Sequence, residues 1–155
     1  MLTEEFKKKD LLDLGGKKKK ANVNHILVRD YVKEIDIGAF QSEYGVKQRV
    51  SFNVILEVDT DNYPMHDNVD LVLSYDNIIE IIEDEISQKR VALLETLAEY
   101  IALSCLCLDS AVTVTVRLEK LDRGMGKLGV QITRTKFQSN QATTNMKTQR
   151  GNLVI

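Results

Sequence analysis

Val112-Thr113-Val114-Thr115-Val116-Arg117-Leu118-Glu119-Lys120 alternates apolar and polar residues from end to end. A period of two marks a half-buried strand, so Val112, Val114, Val116 and Leu118 share one face and Lys120 ends the same row. A charge therefore closes a core-facing row. Upstream, residues 48–59 repeat the pattern, with Val50, Phe52, Val54, Leu56 and Val58 pointing one way and Ser51, Asn53 and Glu57 the other. Residues 26–36 and 128–135 read as two further strands, the latter alternating Leu128, Val130 and Ile132. Between the second and third strands the apolar period changes to that of a helix. Ser74 is placed to cap a helix running to about Ile86, with Ile78, Ile79, Ile82 and Ile86 as its stripe. A second helix is expected over about Ala92 to Leu108, with Leu93, Leu94, Leu97, Ala98, Ile101 and Cys105 inward. The order strand, strand, helix, helix, strand, strand predicts an α+β domain whose two helices cover one face of an antiparallel sheet. Such a sheet has two open edges, which self-association into a closed ring would remove.

At 155 residues and 43% hydrophobic content, the chain has room for one domain with a sizeable core. The domain is expected over 24–137. A lysine-rich arm, residues 1–23, precedes it with Lys7-Lys8-Lys9 and Lys17-Lys18-Lys19-Lys20, and reads as a mobile, solvated segment. A polar tail, 138–155, follows and ends on Leu153-Val154-Ile155. The formal net charge of −2 gives no reason to expect nucleic acid or a membrane as partner. No apolar run approaches the roughly 20 residues of a membrane span, and the N-terminus lacks the apolar stretch of a signal peptide, so a cytoplasmic location is expected. Cys105 and Cys107 stand two apart in the second helix, where side chains do not face each other, and are expected to be buried, reduced thiols.

Several polar residues stand out against this scaffold. Glu95 interrupts the apolar run Val91-Ala92-Leu93-Leu94-Glu95-Thr96-Leu97-Ala98. A carboxylate there must face water or bind something. Taken singly, each candidate has a plain explanation. Glu95 complements the dipole of a helix start, Lys120 is a strand-end lysine reaching for solvent, Tyr75 begins an apolar helical stripe, and Glu43 is a solvated loop charge. Glu95 and Glu99 also lie at metal-ligand spacing, but no histidine accompanies them, and the chain offers only His25 and His66 as imidazoles.

Four separated motifs change the weighing. Ile37-Gly38-Ala39-Phe40 is followed by Glu43 and Gln48; Asp67-Asn68-Val69-Asp70 leads to Leu73-Ser74-Tyr75; then come Leu93-Leu94-Glu95-Thr96-Leu97-Ala98-Glu99 and Val116-Arg117-Leu118-Glu119-Lys120. In this order, over about residues 26 to 135, the chain resembles the dihydroneopterin aldolase family, including its epimerase relatives. The resemblance implies the tunnelling fold, in which ββααββ subunits join into a β-barrel ring, a tetramer or a stacked octamer, with active sites at subunit interfaces. One departure is visible. Family members often place a proline just after the lysine, where this sequence continues Leu121-Asp122-Arg123-Gly124-Met125-Gly126-Lys127.

The resemblance also implies a chemistry. The ring of 7,8-dihydroneopterin carries an N5=C6 imine next to its side chain, so breaking the C1′–C2′ bond pushes electrons into the ring. The substrate is its own electron sink, and neither a metal, another cofactor nor a lysine Schiff base is required. By resemblance, Lys120 is the principal acid/base, Tyr75 a partner in proton delivery, and Glu43 the group that positions hydroxyls or water. Glu95 would hold the pterin through its 2-amino and N3 groups, with Leu94, Leu73 and Ser74 lending main-chain contacts. The products would be 6-hydroxymethyl-7,8-dihydropterin and glycolaldehyde, a step toward folate. The alternatives are a 2′-epimerase acting on dihydroneopterin or its triphosphate, for which Arg123 and Lys127 would be pocket-mouth candidates, and an idle pterin-binding ring.

Overall fold

Alternating β-branched residues build four strands in the computed structural model, which describes residues 22–60 and 67–136. The elements are β1 (Val23–Asp36), β2 (Lys47–Asp59), α1 (Tyr75–Gln88), α2 (Leu94–Leu106), β3 (Ala111–Lys120) and β4 (Leu128–Thr135), with single 3-10 turns at Gln41–Glu43 and Val69–Leu71. The strands lie in the order β1-β2-β3-β4, every neighbour antiparallel. The expected α+β architecture, two helices on one face of an antiparallel sheet, is the one observed. Most of the expected arm, the whole expected tail, Pro64 and His66 lie outside the described residues. Val23, assigned from sequence to the arm, already pairs with Asp59 in the sheet.

The core sits between the helices and one face of β2 and β3. Val50, Phe52, Val54, Leu56 and Val58 are all buried, as the period of two requires. They lie opposite Lys120, Leu118, Val116, Val114 and Ala111 in register. The last pairing corrects the sequence reading. A register shift between Glu57 and Val58 inserts an extra residue in β3, so Ala111 completes the buried row and Val112 is turned partly outward. β1 has its own irregularity between Val28 and Tyr31, where Asp30 takes φ 52° and its amide donates to Asn53 Oδ1 at 3.0 Å. Ser51 and Asn53 do face away from the helices, and they are nevertheless buried, Asn53 Nδ2 donating to Ser51 Oγ at 3.1 Å.

The helices bury the expected stripes with local differences. Ser74 caps α1, its Oγ accepting from the Asp76 amide at 3.1 Å. Ile78 and Ile82 are fully buried, and Ile79 and Ile86 half-buried. Glu85 also points inward, where Ser104 of α2 donates to it at 2.6 Å. On α2 the buried set is Leu94, Leu97, Ala98, Ile101, Ala102, Cys105 and Leu106. Leu93, expected inward, occupies the cap position with extended backbone and is exposed, because the helical periodicity starts one residue later. Both cysteines are free; Cys105 is buried, which pushes its thiol up to about 12, whereas Cys107, past the helix end, is exposed and not buried as expected. Among the described residues no helix is long and apolar enough to cross a membrane.

β3 and β4 approach so closely at Gly129 that a Cβ there would lie 1.8 Å from the Leu118 carbonyl oxygen. Glycine at this position is a packing requirement. Gly129→Ala is expected to force the two strands apart and lower stability by about 1–3 kcal/mol. Urea unfolding of both proteins at one fixed concentration measures the difference, and an unchanged midpoint would contradict the close approach.

Candidate active site

The loop between β1 and β2 is short of regular structure yet tightly built. Its 3-10 turn brings Glu43 back toward the turn's own start, so that Glu43 Oε2 accepts from the Phe40 amide at 3.1 Å while the Glu43 amide donates to the Phe40 carbonyl at 2.9 Å. Gly38, at φ +146°, lies directly beneath this side chain, and a Cβ there would come within 2.2 Å of the Glu43 carboxyl. Only glycine leaves room for the acid. Glu43 is 5% exposed, so it is not the solvated loop charge that its position alone suggests.

A buried carboxylate needs compensating charge and hydrogen bonds. Lys120, at the end of β3, supplies the charge with Nζ 2.8 Å from Glu43 Oε1. Gln48 Nε2 donates to the same oxygen at 3.1 Å and to the Ile37 carbonyl at 2.7 Å. Arg123 Nη1 stands 3.5 Å from it, with its guanidinium 5.8 Å from the Phe40 ring centroid. The Lys120 ammonium, then the Phe40 amide and Gln48, hold the Glu43 carboxyl down at about 2 from its ordinary 4.5, outweighing the upward push of burial. Glu43 is thus an anion throughout the physiological range. The lysine belongs to the same inward row as Val114, Val116 and Leu118, and its side chain is only 14% exposed, so it does not reach out to bulk solvent.

The loop after Lys120, which lacks the family's proline, is fixed differently. Asp122 accepts from the Arg49 amide at 2.9 Å, from Nε at 3.0 Å and from Nη2 at 2.6 Å, while the Leu121 amide donates to the Arg49 carbonyl at 2.9 Å. These contacts anchor the chain immediately beyond the lysine and leave Arg123 over Phe40.

The other residues singled out from sequence lie on two helix starts. Tyr75 opens α1 and is 60% exposed, so it is not the first member of the buried stripe. Ser74 caps that helix, and Leu73 precedes it half-buried. Glu95 lies in the first turn of α2 and is exposed, beside buried Leu94. Among the described residues, no hydrogen bond or ion pair joins Tyr75 or Glu95 to the Glu43–Lys120 pair. Glu99, one turn beyond Glu95, is taken by Arg134 of β4 through Nε at 3.1 Å and a second, shorter contact from Nη2. Two contributors escaped the sequence reading: Arg49, which anchors Asp122, and Arg90, which grips the Glu43 loop. A bidentate arginine on another strand leaves no local pattern.

A ββααββ domain with two helices on one face of a four-stranded antiparallel sheet has the tunnelling fold. The chain belongs to the dihydroneopterin aldolase (FolB) family, whose pattern matches residues 26–133, and with that family to the lyases. Solved structures agree. The chain is similar to the Burkholderia thailendensis dihydroneopterin aldolase bound to guanine, with TM-score 0.65 and 28% identity over 74% of this chain and 92% of that one. It is similar also to the E. coli dihydroneopterin aldolase in complex with neopterin, with TM-score 0.65 and 25% identity over 72% of this chain and 98% of that one. No curated protein sequence matches significantly. The family resemblance read from the four motifs is borne out.

The Glu43 carboxyl carries a pH signature. Its value in the folded protein is depressed below the ordinary 4.5, so the stability it contributes is fully present above 4.5 and is lost as pH falls from there to about 2. Glu43→Gln is expected to remove this component, flattening the fall in unfolding free energy across that window relative to wild type. Urea melts at a series of acid pH values read it out; parallel profiles would show that Glu43 is not held as an anion.

Proposed function

We propose that this chain carries out its family's retro-aldol cleavage of 7,8-dihydroneopterin with Lys120 as the acid/base, Glu43 and Tyr75 as its partners and Glu95 as the pterin anchor. The observation that carries the reading is the ion pair of Lys120 with buried Glu43, formed in the place the family motifs assign to chemistry. Glu43 remains ionised at working pH, so it accepts hydrogen bonds and does not donate a proton. It can orient the ammonium of Lys120 and hold the substrate's side-chain hydroxyls or a water. Proton traffic then falls to Lys120 and Tyr75: the Lys120 ammonium gives its proton to N5, by way of Tyr75, the neutral amine so formed takes the 2′-hydroxyl proton as C1′–C2′ breaks, and the restored ammonium later protonates C1′ while N5 returns its proton to the amine. The bond electrons enter the pterin ring. Glu95, with the free amides of the first turn of α2 beside Leu94, offers an acceptor for the pterin's 2-amino and N3 donors and donors for its carbonyl; Leu73 and Ser74 border the Tyr75 side.

The site is completed, on this reading, in a cytoplasmic homo-oligomeric ring of four or eight subunits. Two features support this. β1 and β4 are open edges, and the segment leading into α1 exposes Val69, Leu71, Val72 and Tyr75, with Leu93 exposed at the start of α2. Apolar side chains gathered at the residues assigned to the pterin suit a subunit interface. An active monomer in sedimentation at assay concentration would contradict the ring.

Incubation of the purified protein with 7,8-dihydroneopterin is expected to yield 6-hydroxymethyl-7,8-dihydropterin and glycolaldehyde, resolved by chromatography. Epimer alone would overturn the cleavage reading. Lys120→Ala is expected to lose roughly 10²–10⁴-fold in rate, the range for a general acid/base, while retaining pterin binding. Borohydride during turnover should leave no adduct on Lys120. Glu95→Gln should instead weaken binding of the pterin product by about 2–4 kcal/mol in calorimetry, by losing a charge-assisted pair and confronting donor with donor.

A further inference from the structure

The Glu43 loop is held from behind by a residue that no motif marks. Arg90 lies in the linker between α1 and α2, and its guanidinium makes three contacts of different kinds. Nε donates to Asp36 Oδ1 at 2.7 Å, Nη2 donates to the Gly38 carbonyl at 2.8 Å, and the plane lies 3.7 Å from the Tyr44 ring centroid. The other oxygen of Asp36 accepts from the Gly45 amide at 3.0 Å. One cation thus fixes the end of β1, the glycine under Glu43 and both residues that close the loop. Lysine could not reproduce this, because a point charge offers neither the planar fork nor the stack.

We propose that Arg90 is a positioning residue for the aldolase reaction, setting the Glu43 carboxylate against Lys120 by clamping Gly38 and the Tyr44–Gly45 end of the loop. The coupling is direct. A Cβ on Gly38 would sit within 2.2 Å of the Glu43 carboxyl, so the Gly38 backbone is the floor on which that carboxyl rests, and Arg90 holds that floor through its carbonyl. A shift of the loop moves Glu43 and, with it, the ammonium of Lys120. Glu95, in the first turn of α2, makes none of the clamp's contacts. The proposal rests on the reading of Glu43 and Lys120 as the reacting pair. Loss of the clamp should therefore appear in kcat and spare pterin affinity.

The test is steady-state kinetics of Arg90→Ala and Arg90→Lys, each in wild-type and Glu43→Gln backgrounds, with product affinity by calorimetry. Both single variants should lose roughly 10- to 100-fold in kcat, the scale of a misplacement of about 1 Å, with KM and product affinity little changed. Arg90 borders a cleft of about 270 Å³ lined also by Lys47, Lys89, Ile86 and Leu97, so added methylguanidinium has a route in and should restore part of the activity of Arg90→Ala. In the Glu43→Gln background, Arg90→Ala should cause no further loss, because there is no carboxylate left to place. A full additional loss in that background, or a loss expressed in KM with product affinity falling alongside, would overturn the proposal and make Arg90 a stabiliser of the fold. Near-normal kcat for Glu43→Gln alone would instead overturn the assignment of the reacting pair, and the positioning role with it.

Discussion

A carboxylate buried beside the end of a sheet sets the terms for the rest of this molecule. Glu43 has exchanged water for one ammonium, one side-chain amide and one backbone amide. An ionised acid in such a place is tolerated only while those partners are present. The lysine comes from a strand 77 residues away in sequence, so the β1–β2 loop cannot reach its final form until β3 has docked. Assembly of the Glu43–Lys120 ion pair is in this sense part of folding. Gly38 is required for the same reason, since its missing side chain is the space the carboxyl fills.

β2 acts as the ruler for the site. Gln48, Val50 and Phe52 lie on one face at the spacing of a strand, and antiparallel register sets Val50 opposite Lys120 and Phe52 opposite Leu118. The amide that steadies Glu43 and the lysine that neutralises it are therefore placed by the same ladder of backbone bonds that forms the core. Precision in the site follows from register, which a single-residue slip would reverse for every side chain.

The sequence made the scaffold legible because burial imposes a period, and a period survives in one sequence. It misplaced Val112 because a bulge adds a residue that alternation does not foresee, and Leu93 because a cap residue stands off the helical face that its neighbours share. The family motifs singled out Glu43 and Lys120, which the structure pairs, but the burial of Glu43 had no local sign; a loop acid looks the same whether wet or dry. Arg90 and Arg49 left no trace, since their partners are distant in the chain and arginine in a linker or on a strand's polar face is unremarkable by itself. Tyr75 and Glu95 were found as motif residues, yet they stand exposed on two separate helix starts, so the described chain alone does not gather all four.

The anchoring of Asp122 by Arg49 has a consequence for how such a protein can diverge. With the backbone fixed at residues 121 and 122, the position of Lys120 is insulated from whatever follows. Arg123 to Lys127 form a cassette, bounded on one side by that clamp and on the other by the start of β4. Replacements from Gly124 to Lys127 would alter the rim and leave the Glu43–Lys120 ion pair its partners, whereas replacing Arg123 would remove a cation 3.5 Å from the Glu43 carboxyl. A proline in the position after the lysine would stiffen the same junction by restricting one dihedral. Here the junction is secured by an ion pair from the neighbouring strand, a different means to the same mechanical end.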